Sequence, residues 1–240
     1  MKSRLDITLV ENGLARSRTQ AAELVRAGNV VVDGALAGKP SLLVESSANI
    51  EVREQLPFVG RGGLKLAHAL KFFSINVAGL TAVDIGASTG GFTDCLLQNG
   101  AKKVYAIDVG HSQLVPELRA DPRVVSMEST DIRTAKLPEL VDIAVVDVSF
   151  ISVTNIFSSI HALLKDSGQA IVLIKPQFEV GKGKLGKGGV VKDEDARLAA
   201  VDSVITKAQA SGFACVSLTE SPILGGEGNK EYLAVLKKRI

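Results

Sequence analysis

The fold is decided by one stretch, Val83-Asp84-Ile85-Gly86-Ala87-Ser88-Thr89-Gly90-Gly91-Phe92-Thr93-Asp94, in which an apolar run meets a glycine-rich loop. The apolar run predicts a buried strand, and the residues after the glycines predict a helix. Glycines directly after a strand let the backbone turn sharply and approach a bound molecule closely. Their spacing is Gly-x-x-x-Gly-Gly, whereas a nicotinamide dinucleotide site needs Gly-x-Gly-x-x-Gly. The stretch therefore predicts a strand–loop–helix unit that binds a different ligand.

Outward from this stretch, short β-branched runs alternate with segments of helical length. The predicted strands are Leu80–Ile85, Lys103–Ile107, Ile143–Val148, Ala170–Ile174 and Phe213–Thr219. The predicted helices between them include Thr93–Gln98, Ser152–Leu164 and Asp193–Ser211. Such alternation is typical of a parallel, doubly wound α/β sheet. A last strand, Glu231–Lys237, follows its predecessor too closely for a helical crossover, so we expect it to be antiparallel. This combination is the architecture of Rossmann-like methyltransferases.

Acidic residues at two predicted strand ends indicate the ligand of the glycine-rich loop. Asp84 and Asp108 are both expected at exposed strand ends, and Asp108, at the end of the second strand, can accept hydrogen bonds from ribose hydroxyls. The combination favours an adenosine-bearing cofactor over the alternative of a purely structural glycine turn. The candidate cofactor-binding residues are Asp84, Gly86, Ala87, Ser88, Gly90, Gly91, Phe92, Asp108, Val109 and Asp131.

Four charged residues are predicted to meet at the same edge of the sheet. Asp147 and Lys175 end two predicted parallel strands, and Glu231 begins the antiparallel one. Lys65 lies on a predicted helix, 63–73, that leads into the first strand. A lysine beside a second cation has its ammonium form disfavoured, and such a lysine can act as a general base. Each residue alone is more often a surface charge, so the prediction depends on their convergence.

The first sixty residues have a different character and predict a small α+β module. A helix over 5–14 ends at Gly13, and Ser17 is a natural N-cap for a second helix, Arg18–Arg26. Strands are expected at Val30–Val32 and 48–52. We predict an N-terminal domain over 1–58, a linker with a lead-in helix over 59–79, and the sheet domain over 80–240.

The N-terminal pattern resembles the RNA-binding domain named after ribosomal protein S4. The resemblance is carried by Arg4-Leu5-Asp6, by Ser17-Arg18 and by Gly28-x-Val-x-Val-Asp-Gly34, in that spacing. It implies contacts with RNA phosphates, which position an RNA without reading its bases. The arginines to which it assigns this role are Arg4, Arg16, Arg18 and Arg26. Without the resemblance, solvated surface charges are the simpler interpretation.

A second glycine-rich segment, 181–192, matches most of a nucleotide phosphate-binding loop. Gly188 stands where such a loop needs Ser or Thr to bind magnesium, so we do not expect that function. We expect a basic loop beside the active edge, with Lys182, Lys184 and Lys187 available to RNA phosphates. An ordinary surface loop is the alternative.

Motifs along nearly the whole chain resemble the TlyA family, the FtsJ-like rRNA methyltransferases whose older name is hemolysin. They are Arg61-Gly-Gly-x-Lys65-Leu66, the stretch 86–94, Asp147-Val-Ser-Phe-Ile-Ser152, Ile174-Lys-Pro-Gln-Phe-Glu179 and Gly228-Asn-Lys-Glu231. The resemblance implies S-adenosylmethionine as the cofactor and a cytidine ribose 2′-hydroxyl in ribosomal RNA as the substrate, with the large subunit implied by the shorter subtype. It also implies a catalytic tetrad of Lys65, Asp147, Lys175 and Glu231. The chain departs from the family pattern at His111, Ser112, Ser129 and Asp131.

Composition limits the other classes of function. The 28 basic and 26 acidic residues give a net charge of +2, which excludes a polybasic tail, and we expect no DNA partner. Cys95 and Cys215 lie far apart and no histidine has metal-ligand spacing, so no metal site is expected. The apolar runs are too short to span a bilayer, and Asp6 interrupts any leader, so we expect a cytoplasmic protein. A membrane-active hemolysin and a non-catalytic RNA-binding protein are the two alternatives.

Overall fold

The computed structural model describes residues 2–55, 57–181, 183, 185–225 and 227–239. The chain divides into two compact units, Met1–Arg61 and Gly62–Ile240. The division after Arg61 places the predicted lead-in helix inside the second unit. The predicted domain limits of 58 and 80 stay a prediction.

The first unit is a small α+β module. Its elements are β1 (Lys2–Arg4), α1 (Leu5–Glu11), α2 (Arg18–Arg26), β2 (Val30–Val32), β3 (Ala35–Leu36), β4 (Leu43–Glu45) and β5 (Ile50–Val52). Strands β3, β2 and β5 form an antiparallel sheet, and β1 pairs with β4. The buried apolar side chains of α1, α2 and β2, including Leu5, Leu9, Leu24 and Val30, form its core. The sequence missed β1, β3 and β4 because two or three residues give too short a pattern.

The two helices of this unit begin and end where local chemistry requires. The Ser17 side chain accepts a hydrogen bond from the backbone N–H of Gln20 and so caps α2, as expected. Beyond the other end of α2, Gly28 has a φ of 76°, a conformation that favours glycine. Helix α1 ends at Glu11, earlier than the prediction of 14, because the chain already turns at Asn12 and Gly13.

The second unit is built on a seven-stranded sheet. Its strands are β6 (Thr81–Ile85), β7 (Lys103–Ile107), β8 (Val124–Met127), β9 (Val141–Val146), β10 (Leu164–Ile174), β11 (Phe213–Glu220) and β12 (Tyr232–Lys238). They lie in the order β11-β12-β10-β9-β6-β7-β8. The pairs from β10 to β8 are parallel, and β12 is antiparallel to both β10 and β11. The predicted fold class is confirmed.

Helices connect these strands and cover the sheet. They are α3 (Gly62–Phe72), α4 (Gly91–Gln98), α5 (Pro116–Ala120), α6 (Phe157–Leu163), α7 (Pro176–Glu179) and α8 (Glu194–Ala210). A 3₁₀ turn, Val153–Ile156, precedes α6, so the predicted helix 152–164 is in fact two segments. Strands β6 and β9 are almost wholly buried, because both lie in the middle of the sheet with helices above and below.

The carboxyl ends of the parallel strands define the edge that matters for function. The loops after β6, β7, β9 and β10 all leave the sheet at this edge, and β12 begins there because it runs in the opposite direction. Open α/β sheets bind their ligands outside these strand ends. Among the described residues, no helix combines the length and the apolar character needed to cross a membrane.

Candidate functional site

A lysine–carboxylate pair lies where two neighbouring parallel strands end. Asp147 follows β9 and Lys175 follows β10, and the two strands pair up to Val146 and Val172. The Lys175 ammonium lies 2.5 Å from Asp147 Oδ1 and donates a hydrogen bond to Ser149 Oγ at 2.8 Å. The Lys175 side chain is only 11% exposed and that of Asp147 21%. The pair is therefore held in place, and its carboxylate lines the cleft described below.

A second, more deeply buried pair joins α3 to the start of β12. The Lys65 ammonium donates to Glu231 Oε2 at 2.6 Å, and the Glu231 side chain is 2% exposed. Glu231 Oε1 accepts a hydrogen bond of 3.1 Å from the side-chain amide of Gln177. A Cβ atom on Gly225 would lie 2.4 Å from Glu231 Oε1, so the carboxylate fits only because this position is glycine. Lys65, Gln177 and Gly225 therefore restrict the position of the Glu231 carboxylate.

The two pairs meet at one edge of the sheet, as predicted from their positions in the sequence. Strand β10 pairs with β12 through Ile174 and Tyr232, so Lys175 and Glu231 follow at neighbouring strand ends. Helix α3 approaches both acids: a Cβ on Gly62 would lie 3.7 Å from Asp147 Oδ2, and Lys65 one turn later contacts Glu231. Each lysine has its own carboxylate partner. From the sequence, we expected the charge of Lys65 to be the main factor that disfavours the ammonium form of Lys175.

A cleft of about 430 Å³ opens beside Asp147 at the same edge. It is lined by the loops after β6, β7, β8 and β9. Half of the predicted cofactor-binding residues line it: Gly86, Ser88, Asp108, Val109 and Asp131. The other half, Asp84, Ala87, Gly90, Gly91 and Phe92, are not among its lining residues.

Asp108 organises the entrance of the cleft. Its Oδ2 accepts a hydrogen bond from the Ser88 N–H and its Oδ1 accepts one from the Gly110 N–H, both at 2.7 Å. Each carboxylate oxygen keeps a further lone pair for an incoming hydroxyl. Val109 beside it is 74% exposed and, with the buried Ile132, supplies apolar wall. An acceptor next to apolar walls is the chemistry that a nucleoside requires.

The glycines of the loop have structural reasons to be glycine. Gly86 has a φ of 83°, and a Cβ on it would lie 2.5 Å from the backbone oxygen of Asp147. Gly90 has a φ of 102°, and a Cβ there would meet the Leu118 side chain at 2.2 Å. These glycines let the loop pack against its protein neighbours, and Gly86 brings the loop to the Asp147 backbone in particular.

Asp84 does not lie at an exposed strand end, and that expectation was wrong. Its side chain is fully buried, and its Oδ2 accepts a hydrogen bond of 2.6 Å from Thr93 Oγ1, in the first turn of α4. Among the described residues no hydrogen-bond partner reaches Asp84 Oδ1. Burial in this apolar setting raises the pKa of Asp84 to about 7. Asp84 therefore holds α4 against β6 beneath the loop.

An exposed aromatic residue at the cleft was missed by the sequence reasoning. Phe150 lines the cleft, is 89% exposed and has a φ of 67°, which is unusual for a residue with a side chain. Its ring lies 5.4 Å from that of Phe178, and the Phe178 ring centre lies 5.9 Å from the Lys175 ammonium. The motif that follows Asp147 contains Phe150, but periodicity predicts buried aromatic residues and carries no signal for an exposed one.

Of the positions that depart from the family pattern, Asp131 lines the cleft, and the others lie nearby in the loops after β7 and β8. Asp131 forms a bidentate ion pair with Arg133, which lowers the pKa of Asp131 to about 2. The N–H of Ser129 donates to the Gly110 carbonyl at 2.8 Å, which ties the loops after β7 and β8 together. Ser129 and Ser112 both have a φ of 54°. His111 is exposed and lies next to Ser112 in the loop after β7.

The predicted RNA-binding residues are spread over both units. Arg4, Arg16, Arg18 and Arg26 are all exposed. The structure brings Arg4 and Arg18 together at the Asp6 carboxylate, whereas Arg26 lies at the opposite end of α2. Lys182 and Lys184 lie outside the described residues. Lys187 begins a 3₁₀ turn, Lys187–Gly189. Asn229, shortly before β12, holds this segment: its side-chain amide donates to the Gly189 carbonyl and accepts from the Val191 N–H.

Two protein-family models match the chain. Residues 58–238 match the FtsJ-like methyltransferase model. The chain belongs to the FtsJ-like methyltransferase family. Residues 3–50 match the S4 domain.

Individual relatives extend the family match to almost the full chain. The chain is 45% identical to "16S/23S rRNA (cytidine-2'-O)-methyltransferase TlyA" of Mycobacterium tuberculosis, over 98% of this chain and 90% of that protein. It is 43% identical to "Hemolysin A" of Brachyspira hyodysenteriae, over 96% of this chain and 98% of that protein. A Streptococcus thermophilus structure described as a hemolysin superposes with a TM-score of 0.79 at 43% identity, covering 99% of this chain and 89% of that one. The resemblance to the TlyA family is confirmed.

Proposed function

We propose that this protein transfers a methyl group from S-adenosylmethionine to the 2′-hydroxyl of a cytidine in ribosomal RNA, in the cytoplasm. The observation that carries the proposal is the meeting of the Lys175–Asp147 and Lys65–Glu231 pairs beside the cleft. The name of the M. tuberculosis relative supports the cytidine 2′-hydroxyl and ribosomal RNA as the substrate.

The cleft fits the cofactor by the chemistry of its lining. Asp108 offers two oxygens to the ribose hydroxyls of an adenosine, and Val109 with Ile132 offers apolar surface to its base. Ser88 holds Asp108 in this orientation, and Asp131 lies on the facing loop. When bound, S-adenosylmethionine supplies an electrophilic methyl group. Asp147 belongs both to the cleft and to the lysine pair, so the methyl donor and the acceptor hydroxyl are assigned to the same place.

Lys175 is assigned the role of the general base. Its Nζ accepts the proton of the 2′-hydroxyl as the oxygen attacks, provided that the lysine enters the step as the amine. Asp147, 2.5 Å away, then stabilises the ammonium that forms, and Ser149 orients the same nitrogen. Holding donor and acceptor in line is expected to supply a large share of the rate, since orientation alone contributes roughly 7–11 kcal/mol in favourable cases.

Lys65, Glu231 and Gln177 are assigned to substrate positioning. The Lys65 ammonium is fixed by Glu231, which is fixed by Gln177, so the positive charge of Lys65 has a defined position next to the reacting ribose. A fixed cation there stabilises the negative charge that develops on the 2′-oxygen.

The RNA is assigned to two further surfaces. A nucleotide inside a helix has to leave its stack before its ribose reaches Lys175, and the exposed ring of Phe150 offers a stacking surface for its base. The proposed domain 1–58 anchors the RNA through arginine–phosphate contacts. Residues 59–79 are the proposed linker to the domain 80–240, which catalyses the methyl transfer. The lysines of the loop 181–192 are proposed to add phosphate contacts to that domain.

The experiment is methyl transfer from radiolabelled S-adenosylmethionine to ribosomal subunits that lack the modification. The parent protein is expected to label the RNA. Lys175→Ala is expected to lose about 10²–10⁴-fold in rate while its affinity for the cofactor is unchanged. Lys175→Arg is not expected to restore the rate, because a guanidinium keeps its proton at any working pH. Near-parental turnover by Lys175→Arg would contradict the general-base assignment.

The same preparations separate the two alternative functions. A non-catalytic RNA-binding protein would bind the subunits without transferring label. A membrane-active protein would release dye from phospholipid vesicles, and the parent protein is expected to release none.

A further inference from the structure

A series of contacts joins the segment 147–153, after β9, to the segment 175–179, after β10. Lys175 contacts Asp147 and Ser149, the Phe178 ring lies beside the Phe150 ring, and Glu179 binds the chain at Ser152 and Val153. The contacts follow the same order along both segments, so the two segments lie side by side. Lys175 stands at one end of the series, and Glu179 closes it at the other end.

Glu179 holds its end of the series with both carboxylate oxygens. Its Oε2 accepts a hydrogen bond from Ser152 Oγ at 2.5 Å, and its Oε1 accepts one from the Val153 N–H at 2.9 Å. Ser152 Oγ also accepts from the Thr154 N–H at 3.2 Å and so caps the 3₁₀ turn Val153–Ile156. The half-buried Glu179 carboxylate therefore fixes the beginning of this turn.

The residue that depends most on this anchor is Phe150. Its φ of 67° lies in the left-handed region, and its side chain is 89% exposed, so packing does little to hold it. Such a backbone conformation persists only where the surrounding structure fixes it. The Asp147–Lys175 pair fixes the chain three residues before Phe150, and Glu179 fixes it two residues after, at Ser152. The ring is thus presented between two fixed points of the chain.

We propose that Glu179 is a positioning residue that, through the turn after Phe150, holds the exposed ring in the orientation that receives the base of the substrate nucleotide. The proposal rests on the proposed function and deepens it, because it adds a residue that acts on RNA binding and not on the transfer step. Lys175 is held directly by Asp147, so the loss of Glu179 leaves the reacting amine in place. A ring that is free to move binds a base more weakly, because ordering it costs entropy.

The motion of the ring can be followed without RNA, because the chain contains no tryptophan. Phe150→Trp introduces a single fluorophore, whose fluorescence anisotropy reports motion on the nanosecond timescale. Adding Glu179→Met keeps the length of the side chain but removes the carboxylate acceptors, and the anisotropy is expected to fall.

The matched control is Glu179→Gln in the same Phe150→Trp chain. It removes the same charge, but its carbonyl can accept from the Val153 N–H and its amide can donate to Ser152 Oγ. This conservative variant is expected to restore the anisotropy of Phe150→Trp alone. Equal anisotropy of the Glu179→Met and Glu179→Gln proteins would overturn the proposal.

Methyl transfer to ribosomal subunits that lack the modification gives the second readout, with the full chain. Glu179→Met is expected to raise the KM for RNA about tenfold while kcat changes little, and Glu179→Gln is expected to restore the parental KM. In a double-mutant cycle, Glu179→Met should add no further loss of kcat/KM once Phe150→Ala has removed the ring. Fully additive losses, or a fall in kcat at unchanged KM, would overturn the proposal.

Glu179→Asp covers the case in which Glu179→Met fails to fold. It keeps the charge, but its carboxylate is one methylene shorter and is expected to lose one of the two hydrogen bonds, which raises the KM for RNA. Parental KM and anisotropy of this variant would overturn the role of Glu179. That result leaves the proposed function standing if the parent methylates ribosomal RNA, whereas a parent that neither binds nor methylates ribosomal RNA would refute the proposed function itself.

Discussion

Replacing Asp84 by Asn should stabilise the protein at high pH, because its charge is buried without a counter-ion. The pKa of Asp84 is about 7 in the folded protein against an ordinary value of 3.8, a difference of about three units. Each unit corresponds to about 1.4 kcal/mol. Because the folded state binds this proton more tightly, the free energy of unfolding falls as the pH rises from about 4 to about 7. Above that window the ionised Asp84 costs the folded protein about 4 kcal/mol.

The asparagine side chain keeps the shape and an acceptor for Thr93, and it carries no charge at any pH. We expect Asp84→Asn to raise the melting temperature at about pH 8 by roughly 8–16 °C, and at about pH 4 by much less. Calorimetric unfolding at the two pH values measures the difference. Asp202→Asn, at an exposed position on α8, is the control and should change little at either pH. An equal effect of Asp84→Asn at both pH values would show that the buried charge of Asp84 does not destabilise the folded protein.

Three further substitutions probe the site. Gly86→Ala places a methyl group 2.5 Å from the Asp147 carbonyl at a positive φ; we expect a loss of roughly 1–3 kcal/mol in unfolding free energy and a fall in methyl transfer, seen by melting and rate measurements. Gln177→Leu removes the amide donor of Glu231; kcat is expected to fall about tenfold with unchanged cofactor affinity, and equal kcat would contradict the positioning role. Phe150→Ala removes the proposed stacking surface, worth about 1–3 kcal/mol, so kcat/KM for RNA should fall while Phe150→Tyr stays near the parent.

The sheet was predictable because its central strands are continuous apolar runs. Strands β6 and β7 lie within a residue of their predicted limits, since buried β-branched residues leave a clear signal. Strand β8, Val124–Met127, was missed because it is a short edge strand with mixed burial. The antiparallel direction of β12 followed from the length of its connection alone, and the pairing confirms it.

The site was predictable as a set of positions and not as a set of contacts. Strand ends place Asp147, Lys175 and Glu231 at one edge, which follows from topology. The pairing of each lysine with its own carboxylate depends on side-chain geometry between different elements. Lys65 and Glu231, for example, are more than 150 residues apart in the sequence. The burial of Asp84 depends on how the loop after β6 folds back on the sheet. Neither feature has a local pattern in the sequence.

The first unit shows the same limit. The pattern that resembles the S4 domain contains Asp6 between two predicted RNA-binding arginines, and no local pattern predicts a contact between this acid and Arg18. Only the fold brings Arg18 to the carboxylate that Arg4 already occupies. A residue of opposite charge inside a basic motif is thus a candidate for positioning its neighbours.

The most direct test of the proposed function is to identify the methylated nucleoside. Ribosomal RNA lacking the modification would be incubated with purified protein and S-adenosylmethionine, digested to nucleosides and analysed by mass spectrometry. We expect 2′-O-methylcytidine with the parent protein, and almost none with a Lys175→Ala variant that melts at the parental temperature. A methyl group on the base, or equal amounts of 2′-O-methylcytidine with both proteins, would contradict it.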